Sequence, residues 1–135
     1  MKKVYTYGVW DMLHINHINS LKKAKDLGDY LIVGVFSDKV AEDFKRKPII
    51  SQEERTKMIC ELKVADLVVV QNEFSPLKNL EFLRPDVLAK GEGAGWENGT
   101  CPDYDEIKRL EIDIEFLPYH QGTSTSGIIK KIQSL

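Results

Sequence analysis

Cysteine is scarce in this chain, two residues in 135, and neither Cys60 nor Cys101 sits at the spacing of a disulfide framework or a zinc knuckle. Both thiols are therefore expected to be free. Long apolar runs are missing as well, and Met1-Lys2-Lys3 leads into a strand pattern with polar Thr6 inside it rather than into a signal-peptide core. No membrane insertion is expected, and a cytoplasmic location is the default. Charge of one sign is not in excess: 19 Lys and Arg stand against 21 Asp and Glu, a formal charge of −2. No broad basic surface is offered to nucleic acid or anionic lipid, so any phosphate ligand has to be held locally.

What is present fits one compact domain over residues 1–135, since 42% apolar content at this length makes a real core and little more. No internal repeat or low-complexity tract interrupts it. The first strand, Val4 to Gly8, crosses a short turn through Val9, Trp10 and Asp11 and delivers His14 and His17 where a helical pattern begins. Residues three apart share a helix face. Two imidazoles would then lie beside the free amides of a helix N-terminus, a corner that favours anions. On spacing alone, incidental polar residues and a partial metal site remain open. A zinc reading needs more ligands than His120 and two distant cysteines supply.

Ile18, Leu21, Ala24 and Leu27 recur at helical spacing with Gly28 as a stop, and Tyr30 to Val35 is the continuous apolar run of a strand buried on both faces. Strand, helix, strand implies a right-handed crossover. Ser37 to Pro48 reads as a charged loop carrying Lys45, Arg46 and Lys47, either a solvated segment or, after a parallel strand's C-terminal end, part of a ligand site. Ser51 to Glu54 forms a capping box opening a helix to about Leu62, with Met58, Ile59 and Leu62 on its buried face. Arg55 in its first turn opposes the helix dipole, which suggests an anionic partner, either a ligand or an ordinary salt bridge.

Asp66 to Val70 reads as a third strand. Ser75-Pro76 opens a helix with Leu77, Leu80 and Leu83 inward and Pro85 ending it, and Val87 to Ala89 is a fourth strand. Lys90 to Asp105, with four glycines, is a long irregular loop in which Trp96 is either a lid over substrate or a local anchor. Ile112 to Phe116 alternates as an edge strand does. Gly122 followed by Thr123, Ser124, Thr125 and Ser126 enters a last helix with an apolar stripe of Ile128, Ile129, Ile132 and Leu135. This is either a second anion-binding corner or simple N-capping. The alternation of strands and helices predicts a three-layer α/β/α Rossmann-like parallel sheet.

Gly8-Val9-Trp10-Asp11, His14-Ile15-Asn16-His17, the basic loop, the helix bearing Arg55, and Gly122-Thr123-Ser124-Thr125 together resemble the cytidylyltransferases that activate glycerol 3-phosphate, phosphocholine and phosphoethanolamine. These share a nucleotidyltransferase superfamily with adenylyltransferases such as the heptose-phosphate and archaeal FAD-forming enzymes. Length and layout are most similar to glycerol-3-phosphate cytidylyltransferase.

The resemblance implies transfer of CMP from CTP, with magnesium, to a small alcohol phosphate, and release of pyrophosphate. It assigns His14, His17, Lys45 and Arg55 to catalysis. Gly8, Val9, Trp10, Asn16, Arg46, Gln121 and Gly122 to Ser126 would hold the nucleotide, and Asp11, Lys78 and Trp96 the acceptor. It also implies a homodimer, while no resident metal site is expected. The sequence departs from the family pattern where Asn16 replaces the glycine of HxGH, where Val9 replaces a threonine, and where Tyr119 and Gln121 replace an arginine and a glutamate. Lys90-Gly91 is more similar to the heptose-type enzymes. Adenylyl transfer, and a non-catalytic nucleotide-binding module, are the alternatives.

Overall fold

The computed structural model of the chain describes residues 1–91, 101–117 and 122–135. Within them β1 (Lys3–Gly8), α1 (Ile15–Lys25), β2 (Tyr30–Phe36), α2 (Asp38–Phe44), α3 (Gln52–Cys60), β3 (Leu67–Gln71), α4 (Leu77–Leu83), β4 (Val87–Gly91), α5 (Tyr104–Arg109), β5 (Asp113–Leu117) and α6 (Thr125–Gln133) follow in order. The strands form one parallel sheet ordered β3-β2-β1-β4-β5. This is the three-layer Rossmann-like arrangement that the strand and helix alternation predicts.

The pleat sorts side chains to opposite faces. Val4, Leu31, Val33, Val35, Val87 and Ala89 meet Leu21 and Ala24 of α1 and Ile59 of α3 on one side. On the other, Tyr5, Tyr7, Ile32, Phe36 and Leu88 meet Ala41 of α2, Leu80 of α4 and Ile107 of α5. Both faces of the central strands are thus covered, which is why they read as unbroken apolar runs. β5 is an edge strand with Asp113 and Glu115 exposed, as its alternation predicts, whereas Phe116, on the apolar side of that alternation, is exposed as well.

Several expectations are corrected. The segment read as a charged loop begins with α2, because Ser37 Oγ accepts from the Val40 amide as an N-cap while Val40, Ala41 and Phe44 pack inward. The stretch before β5 contains α5, whose Ile107 is buried. α3 ends at Cys60, Ser51 Oγ caps it through the Glu54 amide, and Met58 is 53% exposed rather than buried. The stripe on α6 covers nothing completely: no α6 residue is buried, and Ile132 is 57% exposed. Both cysteines are free, Cys60 exposed and Cys101 buried. Among the described residues no helix is long and apolar enough to cross a membrane.

Candidate active site

From β1 the sheet runs to β2 and β3 on one side and to β4 and β5 on the other, so the order turns at the β1–β4 boundary. Ligands of open parallel sheets sit outside the carboxyl ends of the strands at such a point. Gly8 ends β1 there, with the Trp10 ring packed 3.2 Å from where a side chain would begin. The turn that follows is strained: Trp10 and Met12 both have left-handed backbone, φ 58° and 49°, which L residues with side chains seldom adopt unless the surroundings enforce it.

The enforcing contacts are specific. Trp10 Nε1 donates to the Gly34 carbonyl at 2.9 Å, inside the core. Arg55, 1% exposed, gives Nη1 to the Val9 carbonyl at 2.6 Å, Nε to the Ile50 carbonyl at 3.0 Å, and Nη2 to both the Phe36 carbonyl (2.9 Å) and Asp38 Oδ1 (2.8 Å). Its misplacement at a helix N-terminus is thereby explained by an ion pair within the protein, and the bond to Arg55 holds the Asp38 carboxyl below its ordinary value. Asp11, 3% exposed, accepts from the amides of Ile49 at 2.8 Å and Ile50 at 2.9 Å, one on each carboxylate oxygen.

The turn delivers His14 as the N-cap of α1 and His17 as its third residue. The His14 amide donates to His17 Nδ1 at 3.2 Å, and the two rings stack with centroids 3.7 Å apart. The Trp10 ring meets His17 edge-on at 5.5 Å. Because Nδ1 of His17 is an acceptor, the neutral ring carries its proton on Nε2. Burial pushes the His17 pKa down to about 3, with the charges of His14 and Lys90 adding to the effect, and burial lowers that of His14 too. The pair is therefore neutral at physiological pH, presenting N–H donors rather than fixed charge.

The hydroxyl-rich segment lies against this corner. Gly122, at φ 119°, starts it, and the Thr123 carbonyl accepts from Asn16 Nδ2 at 2.5 Å. Ser124 caps α6 through the Gly127 amide at 3.0 Å, which is the simple capping role. Thr125 Oγ1 instead donates to the Asp11 carbonyl at 2.9 Å, and Ser126 Oγ accepts from Arg46 Nη1 at 3.3 Å. Histidine turn, basic loop and hydroxyl turn thus converge at one rim of the sheet. Asn16, which stands where the family pattern has glycine, is one of the side chains that join two of them.

Lys45 is exposed at the C-cap of α2 and Arg46 is half-buried beside Ser126. Lys78 is exposed and pairs with Glu73 at 2.7 Å, which raises its pKa. Trp96, Gln121 and Tyr119 lie outside the described residues. Among the described residues no three His, Cys, Asp or Glu side chains gather as a metal ion requires.

One functional candidate escaped the sequence reading. Lys90, near the end of β4, is buried, donates to the Tyr7 carbonyl, and lies 4.3 Å from the Tyr7 ring centroid. Burial pushes its pKa down to about 7. The available signal was a lysine closing the apolar run Val87-Leu88-Ala89 where a sheet is buried on both faces.

The chain matches the cytidylyltransferase-like family over residues 5–130. It is 41% identical over 134 residues to the bifunctional protein HldE of Wolinella succinogenes and 37% identical over 140 residues to that of Helicobacter pylori strain P12. Each alignment covers 98% of this chain but 27% and 28% of the relative, so the chain spans little more than a quarter of their length. Among solved structures, a lipopolysaccharide core biosynthesis protein from Thermoplasma volcanium superposes with a TM-score of 0.75 at 30% identity, over 91% of this chain and 99% of that one. A pantoate-beta-alanine ligase from Francisella tularensis shares the fold at 17% identity and a TM-score of 0.60, over 99% of this chain and 70% of that one. The family match, spanning nearly all of the sequence and both the histidine and the hydroxyl turns, places the chain in the cytidylyltransferase-like family of the nucleotidyltransferase superfamily.

Proposed function

We propose that this chain transfers a nucleotidyl group from a magnesium nucleoside triphosphate to the phosphate of a small sugar or alcohol phosphate, with ATP and a sugar phosphate of the heptose type as its pair. The observation that carries the reading is the meeting of His14, His17, Arg46 and the Gly122–Ser126 turn at the β1–β4 rim. An acceptor phosphate oxygen attacks the α-phosphorus, the bond from that phosphorus to the bridging oxygen breaks, and pyrophosphate leaves with the electron pair. Such a reaction needs positioning and charge stabilisation more than covalent help. The neutral His17 ring offers its Nε2 proton to oxygens gaining charge, and Lys45, Arg46 and Lys90 supply cations around them. Magnesium arrives with the triphosphate.

Adenylyl transfer is preferred over the cytidylyl reading on two counts. The Thermoplasma volcanium neighbour, matched over nearly its whole length, is described as a lipopolysaccharide core biosynthesis protein. Lys90-Gly91 at the end of β4 is similar to the heptose-type enzymes, which the resemblance groups with adenylyltransferases. A homodimer working in the cytoplasm belongs to the same proposal, on the family's pattern alone. The test is pyrophosphate release from a panel of nucleoside triphosphates against a library of sugar and alcohol phosphates. Turnover with ATP and a heptose phosphate above every CTP pair is the expected result. Turnover with CTP and glycerol 3-phosphate alone would return the cytidylyl reading, and tight nucleotide binding with no turnover for any pair would make the chain a binding module.

A further inference from the structure

Three segments face the proposed phosphate site, and they come from distant parts of the chain: the 9–17 turn, the 45–50 loop and the 122–126 turn. One residue is bonded to the other two segments from within the first. We propose that Asp11 is the positioning residue of this site, a buried hub that sets the basic loop and the hydroxyl turn in register with the histidines, rather than a ligand for the acceptor. The proposal rests on the nucleotidyl-transfer reading for its kinetic consequences but not for its structural ones.

The geometry leaves the carboxylate little else to do. One oxygen accepts from the Ile49 amide and the other from Ile50, at 2.8 and 2.9 Å, while the residue is 3% exposed. Its own carbonyl accepts from Thr125 Oγ1 at 2.9 Å. Charge-assisted bonds from two successive amides to one buried carboxylate are short, directional and strong. They fix the backbone a few residues beyond Lys45 and Arg46, in a stretch belonging to no helix or strand. Arg55 completes the frame at the next peptide along, since its Nε donates to the Ile50 carbonyl while its Nη1 donates to the Val9 carbonyl, two residues before Asp11. The left-handed residues on either side of Asp11, Trp10 and Met12, are the local cost of turning its carboxylate inward.

The arrangement makes a distinctive statement about Ile49. The residue is 62% exposed, yet its amide is bound by a buried carboxylate. Hydrogen exchange in the ligand-free protein reads this directly, with no substrate. The Ile49 and Ile50 amides are expected to exchange at least about a hundredfold more slowly than in a free peptide, because exchange requires the loop to open. Free-peptide rates at both amides in the unaltered protein would overturn the proposal outright.

In Asp11→Asn the amide NH2 faces a backbone N–H, so one of the two bonds is lost. Exchange at Ile49 or Ile50 is then expected to accelerate at least about tenfold while Val33 and Val35 in β2 stay protected. With whichever nucleotide and phosphate pair gives turnover, Asp11→Asn is expected to lower kcat by about 10- to 100-fold and to leave KM for the triphosphate within about threefold. Combined with Lys45→Ala and Arg46→Ala it is expected to add little, since it acts through those residues. Losses that multiply, or an acceptor KM that rises with exchange unchanged, would identify Asp11 as a direct acceptor contact and sink the proposal. If no pair turns over, the nucleotidyl-transfer reading fails while the exchange measurements still decide the hub.

Discussion

Acidification from about pH 7 to about pH 5 acts on His17 in a way that can be worked from its surroundings. Stacked on His14, covered at its edge by Trp10 and near the ammonium of Lys90, the ring resists a proton down to a pKa of about 3, against 6.5 for an ordinary histidine. Above 6.5 the group is neutral in both folded and unfolded chains and contributes no pH dependence. Between 6.5 and about 3 the unfolded chain binds a proton that the folded chain refuses, so each unit of acidification lowers stability by about 1.4 kcal/mol. By pH 5 the loss is about 2 kcal/mol, a sizeable part of the roughly 5–15 kcal/mol that holds an ordinary domain together. The assay is urea unfolding of the wild-type chain and His17→Gln across that range. Carboxylates common to both cancel in the difference, so the wild-type stability relative to the variant should drop by about 2 kcal/mol on going to pH 5. Nitrogen chemical shifts of the ring should show Nδ1 bare and Nε2 protonated throughout. A stability difference that does not change with pH, or a ring titrating near 6.5, would refute the claim that burial and neighbouring charge keep this imidazole neutral.

Gly34→Ala tests the core beneath the site: the added carbon would overlap the Tyr5 hydroxyl and lie 3.0 Å from Tyr7 Cβ. Tyr5 is held at 2.6 Å to Gln71 and 3.0 Å to Asn79, so the network must yield, and chemical denaturation should show a loss of about 3 kcal/mol. An unchanged midpoint would mean that the strand slides to admit the methyl group. Lys90→Met should leave stability near pH 6 at or above wild type, because an apolar chain replaces a buried ammonium. It should also remove the wild-type gain in stability with rising pH between about 7 and 10.5, where the unfolded lysine keeps a proton that the folded one loses. Calorimetry should show triphosphate affinity about tenfold weaker, and unaltered affinity would remove Lys90 from the site.

How much of this was legible in the sequence depended on whether the feature leaves a periodic trace. Tyr30 to Val35 could be read as a doubly covered strand because both pleat faces must be apolar in the middle of a layered sheet, and the structure buries Leu31 to Val35 completely or nearly so. α2 was missed because only Val40, Ala41 and Phe44 face inward, and its acids and lysines dominate a short window. Ile128, Ile129 and Ile132 show the converse: helical periodicity located α6 but did not say whether anything packs on its stripe. At the site, the histidine pair and the hydroxyl turn were visible as residue types, and Arg55 as a cation in an unfavourable place. The bonds from Asp11 to Ile49 and Ile50 left no trace, since any residue but proline supplies an amide and the partners are 38 and 39 positions away.

The same contrast explains why the site is framed by buried polar groups at all. A polyphosphate brings concentrated negative charge, and the donors proposed to meet it sit on or beside turns, where ordering each residue costs about 1–2 kcal/mol of conformational entropy. If the ligand alone had to order the 9–17 turn, the 45–50 loop and the 122–126 turn, that cost would come directly out of binding and of transition-state stabilisation. Core packing does part of the ordering, through Trp10 and Leu13 of the first turn, but an apolar cluster at the rim itself would exclude a charged ligand. Backbone-directed bonds from buried Asp11 and Arg55 order the same peptides without presenting an apolar surface. Burying two charged side chains is unfavourable in itself, and it is sustained because each is met by hydrogen bonds: both Asp11 oxygens by amides, and Arg55 by three carbonyls and the Asp38 carboxylate. Removing either residue should therefore loosen the rim more than it weakens the sheet below it, which sets Asp11 and Arg55 apart from core residues such as Leu21, whose truncation leaves a cavity and acts on the whole fold alike.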